Sequence, residues 1–369
     1  MQQINGGVCA AKGFSANGIH CGIRKNKEKR DLSLIFSNVP ANAACVYTTN
    51  LVKGAPLIVT KKHVADGKAQ AIICNSGNAN TCNANGIEIA ELMSDLTAKQ
   101  LNIKSDDIIV ASTGVIGQPL NIEPIKNGLQ ELVAGLGKNS RLAAEGIMTT
   151  DNAVKEIAVS FDINGTECKI GGIAKGSGMI HPNMATMLVF ITTDCAISGE
   201  MLQKALSSDI RNTFNMISID GDTSTNDMVS VLANGMAGNT EITEEGEAFN
   251  SFMKALNSIT VYLCKAIAGD GEGASKMIEC TVKGAEKKET AKIAARSVIC
   301  SSLTKAAMFG ADANWGRILC AIGYSGADVD VNKIDVTFCS KAGFIRVCSG
   351  GAGVDFSEET AFSAVSSFF

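Results

Sequence analysis

The chain has 369 residues, 46% of them hydrophobic and 19% charged, with a formal net charge of −4. That is the make-up of a compact protein of two or three structural units with ample core. Only 5% are aromatic and no long basic run occurs, which argues against a nucleic-acid partner, and no apolar run reaches the roughly 18 residues that a membrane helix needs. Thirteen cysteines carry neither a CxxC pair nor a Cys/His cluster. Their odd number, without a signal peptide, predicts reduced thiols and a cytoplasmic location. The three histidines are His20, His63 and His181, so no metal site is expected.

Short runs at Leu32–Phe36, Ala44–Tyr47, Leu57–Thr60 and Ala71–Cys74 read as strands. Between the first strands and the N-terminus, the basic cluster from Arg24 to Arg30 reads as a solvated turn. The Asn-rich loop Asn75–Gly86 is expected to cap a helix over Ile87–Leu101, where apolar residues recur at helical spacing. Ile108–Ala111 reads as a strand feeding the turn Ser112-Thr113-Gly114-Val115-Ile116-Gly117, whose N–H groups could face an anion. Leu142–Met148 reads as helix. Val154–Phe161 and Glu167–Ile173 form a predicted hairpin about Asn164-Gly165.

Lys175 to Asp194 joins a Gly/Ser/Pro/Asn loop to a strand expected at Leu188–Thr193. At the junction stands Ala185-Thr186, a small residue followed by a hydroxyl. This is the layout of a precursor that cuts itself, because a threonine with a free α-amine carries nucleophile and base together. An ordinary Gly-rich connection into a core strand fits the same residues. Helices are then expected at Ile197–Asn215, started by Ser198 and Glu200, and at Glu244–Gly269. Asp220–Asp227 is no EF-hand, since its twelfth position is Val231. Lys276–Lys283 reads as strand, Thr290–Ser297 as helix, and Gly310–Trp315 leads into Gly316–Gly323. Strands alternate with helices throughout, giving an α/β or α+β chain. No P-loop occurs, and Gly269-Asp270-Gly271-Glu272-Gly273 lacks dinucleotide-binding spacing.

These segments together resemble the ArgJ family, the bifunctional ornithine acetyltransferase / N-acetylglutamate synthase of arginine biosynthesis. The resemblance rests on Gly6-Gly7-Val8, Gly18–Gly22, Asn75-Ser76-Gly77-Asn78-Ala79-Asn80, Ala111–Gly117, Ile147-Met148-Thr149-Thr150-Asp151 and Ala174–Asp194. It continues through Asp220–Asp227, Asp270–Ala274, Phe309–Asp312 and Asn314-Trp315-Gly316-Arg317. It covers the chain to about Asp355, and the Lys-Gly-Ser-Gly-Met string with Met-Ala-Thr-Met-Leu is its most specific part.

The resemblance implies an α/β (α+β) fold of DmpA/ArgJ-like stacked mixed sheets flanked by helices. It implies self-cleavage between Ala185 and Thr186 into an α chain, 1–185, and a β chain, 186–369, both contributing to one intertwined fold, with α2β2 heterotetramers as the assembly. Thr186 would be the acyl-accepting nucleophile, and Thr113 and Gly114 the oxyanion hole. Thr149, Lys175, Thr186 and Glu272 would contact substrate. The activity implied is acetyl transfer from N-acetylornithine to glutamate by ping-pong kinetics, with no cofactor and with acetyl-CoA as a further possible donor. An N-terminal-nucleophile amidohydrolase or aminopeptidase, and an inactive remnant, are the alternatives. Family members continue some tens of residues past the Gly-Ala-Gly-Val-Asp-Phe stretch, to an Asn and a Thr that help bind substrate. Those positions have no counterpart before Ser366-Ser367-Phe368-Phe369, so the tail reads as shortened.

Overall fold

The computed structural model describes residues 1–180 and 187–366. The chain forms two compact units, one of residues 1–215 with 222–272 and the other of residues 216–221 with 273–369.

The first unit is built on β1 (Gln2–Ile4), β2 (Phe14–Ile19), β3 (Leu32–Tyr47), α1 (Ala55–His63), β4 (Lys68–Asn78), α2 (Gly86–Leu101) and β5 (Ile108–Val115). It continues through α3 (Glu123–Ala134), α4 (Ser140–Ile147), β6 (Lys155–Ile163), β7 (Thr166–Lys175), β8 (Leu188–Thr193), α5 (Gly199–Ile210), β9 (Met228–Ala233) and α6 (Glu247–Ala268). Among the described residues the strands join in the order β1-β6-β7-β8-β9-β3-β4-β5, with β2 beside β3. β4–β5 and β8–β9 are parallel, and the other pairs are antiparallel.

The long strand β3 organises this sheet. Its first half, Leu32–Phe36, pairs with β2 and β4, while Asn42–Tyr47 pairs with β9, and the register with β4 shifts between Phe36 and Ala41. The two strands expected at Leu32–Phe36 and Ala44–Tyr47 are therefore halves of one. Side-chain alternation splits β4 and β5 between two cores. Ile72, Cys74, Ile109 and Ala111 point one way, into a core shared with Ile173, Leu188, Phe190 and Met228. Ala71, Ile73, Ile108 and Val110 point the other way, into a core with Val59 of α1, Met93 of α2 and Leu129 of α3. The sheet thus folds over a common interior, with helices outside. α6 covers the far face of β6 and β7, where the Phe161 and Phe252 rings meet edge to face at 6.3 Å. A Cβ on Gly172 would touch Ile259 and Leu263, so only glycine allows this helix so close.

Most local expectations hold. The hairpin turns at Asn164 and Gly165, both at positive φ (51° and 86°), as a two-residue primed turn requires. Ser198 caps α5, accepting the Met201 N–H. Several expectations are overturned. Leu57–Thr60 lies in α1, where Pro56 presets the first turn and Leu57, Val59, Thr60 and His63 make a buried helical stripe. A four-residue apolar run cannot by itself distinguish the two states. The Asn-rich loop supplies no side-chain cap to α2; instead Asn80 Nδ2 donates to the Gly86 carbonyl. α5 ends at Ile210 rather than Asn215. In the Arg24–Arg30 cluster residues 25–29 are exposed, as a solvated turn requires, and only its two ends depart from that reading: Arg24 and Arg30 are half-buried and reach the Met148 and Gly18 carbonyls.

The second unit holds α7 (Lys288–Cys300), α8 (Ser302–Phe309), α9 (Trp315–Gly323), the antiparallel strands β10 (Val336–Ser340), β11 (Gly343–Ser349) and β12 (Ala352–Gly353), and α10 (Glu358–Ser366). Its cores are small: Val298, Ala321 and Ile322 in one, Val336, Val347 and Cys348 in another. Residues 276–283 form no strand here.

Candidate active site

The parallel strands β4 and β5 end side by side, and their register slips at Gly77 and Asn78 opposite Thr113–Val115. Gly114 (φ 134°) and Gly77 (φ 100°) adopt backbone angles that favour glycine. A Cβ on Gly114 would meet the Gly77 carbonyl carbon and lie 2.5 Å from the Asn78 nitrogen. Two backbones therefore press together and hold Thr113 in a fixed place. From across the interior comes Lys175, the last residue of β7, with its Nζ 3.5 Å from Thr113 Oγ1.

Lys175 is only 8% exposed. Burial lowers its pKa, opposed by the nearby carboxylates of Asp151 and Asp227. These two acids are driven apart. Burial pushes Asp151 up, but Lys175, Lys155 and the Thr149 N–H outweigh it, and its carboxyl sits below the usual range. Asp227 is pushed well above that range by burial, which Ser224, Lys175 and Thr48 offset only in part. One Asp227 oxygen, Oδ2, has no hydrogen-bond partner among the described residues. Behind Lys175, Asp151 Oδ1 accepts from Lys155 Nζ (2.7 Å) and the Gly176 N–H (2.7 Å), and Oδ2 accepts from the Thr149 N–H (2.9 Å).

Asn226 ties the entry of β9 to the same strand ends. Its Nδ2 donates to the carbonyls of Ala79 (2.6 Å) and Ser112 (2.9 Å), and its Oδ1 accepts from the hydroxyls of Thr81 and Thr225 (both 2.6 Å). On the other side of β5's end, Ser112 Oγ donates to Asn75 Oδ1 at 2.6 Å.

β7 and β8 are antiparallel neighbours whose last pair is Lys175 with Leu188. A hairpin between such ends needs two to five residues, yet twelve, 176–187, connect them. A connection of that length at the mouth of a built polar site points to a working segment.

The sequence matches the ArgJ family over residues 15–367. The chain belongs to the ArgJ family. It is 49% identical over 350 residues to the arginine biosynthesis bifunctional protein ArgJ 1 of Clostridium acetobutylicum, covering 94% of this chain and 86% of that protein. To the ArgJ protein of Caldanaerobacter subterraneus subsp. tengcongensis it is 47% identical over 363 residues, covering 98% and 90%. A solved ArgJ structure from Bacillus halodurans is 42% identical and covers 50% of this chain and 97% of its own, with a TM-score of 0.47. With its family, this chain is an acyltransferase of arginine biosynthesis.

Of the residues expected at an ArgJ site, the structure brings Thr113, Gly114 and Lys175 together and places Thr149 on the same Asp151 carboxylate. Glu272 is exposed, two residues beyond Asp270. Ala185, Thr186 and His181 lie outside the described residues. Expected as an anion-facing turn, Ser112–Gly117 instead continues β5 as far as Val115. Asp151, Lys155, Asn226, Asp227 and Asp270 were given no role by sequence reasoning. All but Lys155 stand inside the motifs that carried the resemblance, so a motif's acidic and amide members were the signal available.

Proposed function

We propose that this chain moves an acetyl group from N-acetylornithine to glutamate through an acetyl-threonine on Thr186, after cutting itself between Ala185 and Thr186. The observation that carries the reading is the meeting of Thr113, Gly114 and Lys175 at the mouth of the twelve-residue 176–187 connection. In the cut, the Thr186 hydroxyl attacks the Ala185 carbonyl, and water hydrolyses the resulting ester. Residues 1–185 become an α chain and 186–369 a β chain with a free Thr186 α-amine. An α-amine titrates near 7.7–8.0 in reference peptides, so it can take the hydroxyl proton near neutral pH.

In transfer, Thr186 Oγ attacks the acetyl carbonyl while Thr113 and the Gly114 N–H steady the oxyanion; one such donor is worth roughly 3 kcal/mol. Ornithine leaves with the proton. The glutamate amine then attacks the acetyl ester and regenerates the hydroxyl, giving ping-pong kinetics. Lys175 Nζ, buried beside Asp151 and Asp227, suits a substrate carboxylate, and exposed Glu272 a substrate ammonium. The names of the relatives include "bifunctional", and we extend the donor range to acetyl-CoA. We assign an α2β2 assembly on the same resemblance. Thirteen free thiols suit the reducing cytoplasm, where we place the reaction.

The test joins intact mass to acetyl transfer. Purified protein should give two masses, 1–185 and 186–369, and form acetylglutamate from N-acetylornithine and glutamate. Thr186→Ala should remain one inactive chain. A variant that still cuts between 185 and 186 refutes Thr186 as the nucleophile, and acetate release without acetylglutamate makes the enzyme a hydrolase.

A further inference from the structure

A buried ion cluster stands one step behind Lys175. Lys155, 2% exposed, lies between Asp151 Oδ1 (2.7 Å) and Asp270 Oδ2 (2.5 Å). Asp270 also accepts from the Asn152 backbone and side chain. Isolated buried ion pairs are poor stabilisers, because desolvation consumes most of the attraction. What distinguishes this one is that Asp151 and the main chain of Asp270 also hold the chain that leaves β7. Asp151 takes the Gly176 N–H, and the Ser177 hydroxyl donates to the Asp270 carbonyl at 2.6 Å. The first two residues after β7 are thereby fastened to α4's exit on one side and α6's end on the other.

Further on, Ile180 is fully buried and forms an isolated bridge with Thr223. Between Ser177 and Ile180 the backbone passes Met179 at φ 55°, an angle rare for a non-glycine residue and held only when its surroundings insist. Past the six residues 181–186, the Met187 carbonyl accepts the Met228 N–H at 2.9 Å. The described chain is thus fixed on both sides of residues 181–186, upstream by the Asp151 carboxylate and the Asp270 main-chain carbonyl.

We propose that Asp151, held in place by Lys155 and Asp270, is a positioning residue for self-processing: it sets the direction in which the chain leaves β7 and enters the segment that is cut. The inference rests on the self-cleavage reading above. Attack of a hydroxyl on a neighbouring carbonyl demands near-contact geometry, and an error of about 1 Å can cost on the order of a hundredfold in rate. A carboxylate that accepts N–H groups from two separate segments, Thr149 and Gly176, fixes direction in a way that an apolar contact cannot.

The full-length chain is made by cell-free synthesis, and its conversion to 1–185 and 186–369 is followed by intact mass. Asp151→Asn keeps the size but loses the charge, and should cut at least about tenfold more slowly, the factor expected when a charge-assisted hydrogen bond is lost. Leu129→Ala, a core truncation in α3 remote from the clamp, should lower the melting temperature comparably yet cut at the wild-type rate when both are assayed equally far below their melting points. Asp270→Asn, nearer the solvent, covers the case in which Asp151→Asn does not fold, and should slow cutting severalfold. Asp151→Asn, or Asp270→Asn in its place, cutting at the wild-type rate overturns the proposal and leaves self-cleavage standing. Equal slowing in Leu129→Ala overturns it as well, since stability alone would then set the rate. A wild-type chain that stays whole removes the self-cleavage reading and this inference with it.

Discussion

Replacing Gly114 by alanine tests the close approach of β4 and β5. At φ 134° an L side chain is strained by roughly 1–3 kcal/mol. The added methyl would also press on Gly77 and Asn78, whose backbone is held by its pairing with β5, and overpacking of this kind costs a further 1–3 kcal/mol or so. The sum, about 2–6 kcal/mol, is a large part of the 5–15 kcal/mol by which domains are stable. For a unit of this size it lowers the melting temperature by roughly 5–20 °C. Gly117→Ala is the control: φ there is 79°, but nothing lies within 4 Å of the added carbon, so only the conformational part, about 1 kcal/mol, should appear. Melting is followed by circular dichroism, and turnover is assayed well below the transition. Turnover of Gly114→Ala should fall by about a hundredfold or more, as for a lost oxyanion donor, and that of Gly117→Ala should change little. Equal melting temperatures for the two variants would refute the reasoning.

Asn226→Asp would aim a carboxylate oxygen at the carbonyls of Ala79 and Ser112; the penalty is about 3–5 kcal/mol, read as a fall in the urea midpoint, and an unchanged midpoint would contradict the hydrogen-bond assignment. Thr113→Ala should leave the melt intact and slow acetyl transfer by roughly tenfold to a hundredfold; unchanged turnover would strip Thr113 of its role. Asp227 supplies a pH test. Its folded pKa is raised, so the native state holds the proton longer than the unfolded chain does. Stability present at low pH is therefore lost as pH rises from the unfolded value near 3.9 toward the folded one. Asp151 runs the other way, its contribution being present above the unfolded pKa and lost as pH falls through the folded one. Urea midpoints of wild type and Asp227→Asn should converge near pH 4 and separate at neutral pH, with the variant more stable; parallel curves would sink the assignment.

Much of this arrangement was legible in the residues. Asn164-Gly165 names its own turn, Ser198 its own cap, and the run Leu188–Thr193 its strand, because each depends on neighbours in sequence. Leu57–Thr60 was misread because its helix depends on burial against β5 and α2, with Thr60 Oγ1 bonded to the Val110 carbonyl fifty residues away. Residues 276–283 are apolar and β-branched in places but find no partner strand among the described residues. At the site, Thr113, Gly114 and Lys175 were visible through motifs. The Lys155–Asp151–Asp270 cluster was not, since Asp270 stands more than a hundred residues from the Asp151/Lys155 pair and nothing in a sequence prices a buried charge.

The charges around Lys175 explain why one of its two acids has a raised pKa. Lys155 and Lys175 already face Asp151 and Asp270, two cations for two anions, before Asp227 is counted. A third buried anion would be unbalanced, and burial accordingly keeps Asp227 protonated above the usual carboxylate range. With Asp227 protonated, Lys175 shares Asp151 with Lys155, and on the proposed function this suits it to receive a substrate carboxylate. Two acids of one type, pushed apart by their surroundings, thus take different duties: one fixes the chain, and the other withholds its charge. On the proposed function the consequence can be measured in KM for glutamate. As pH rises through the Asp227 titration, its new charge competes for Lys175 and KM should climb. In Asp227→Asn that climb should be absent, leaving only the rise, common to both proteins, that comes from Lys175 losing its own proton. Superimposable KM–pH curves for the two proteins would show that Asp227 does not govern the charge available at Lys175.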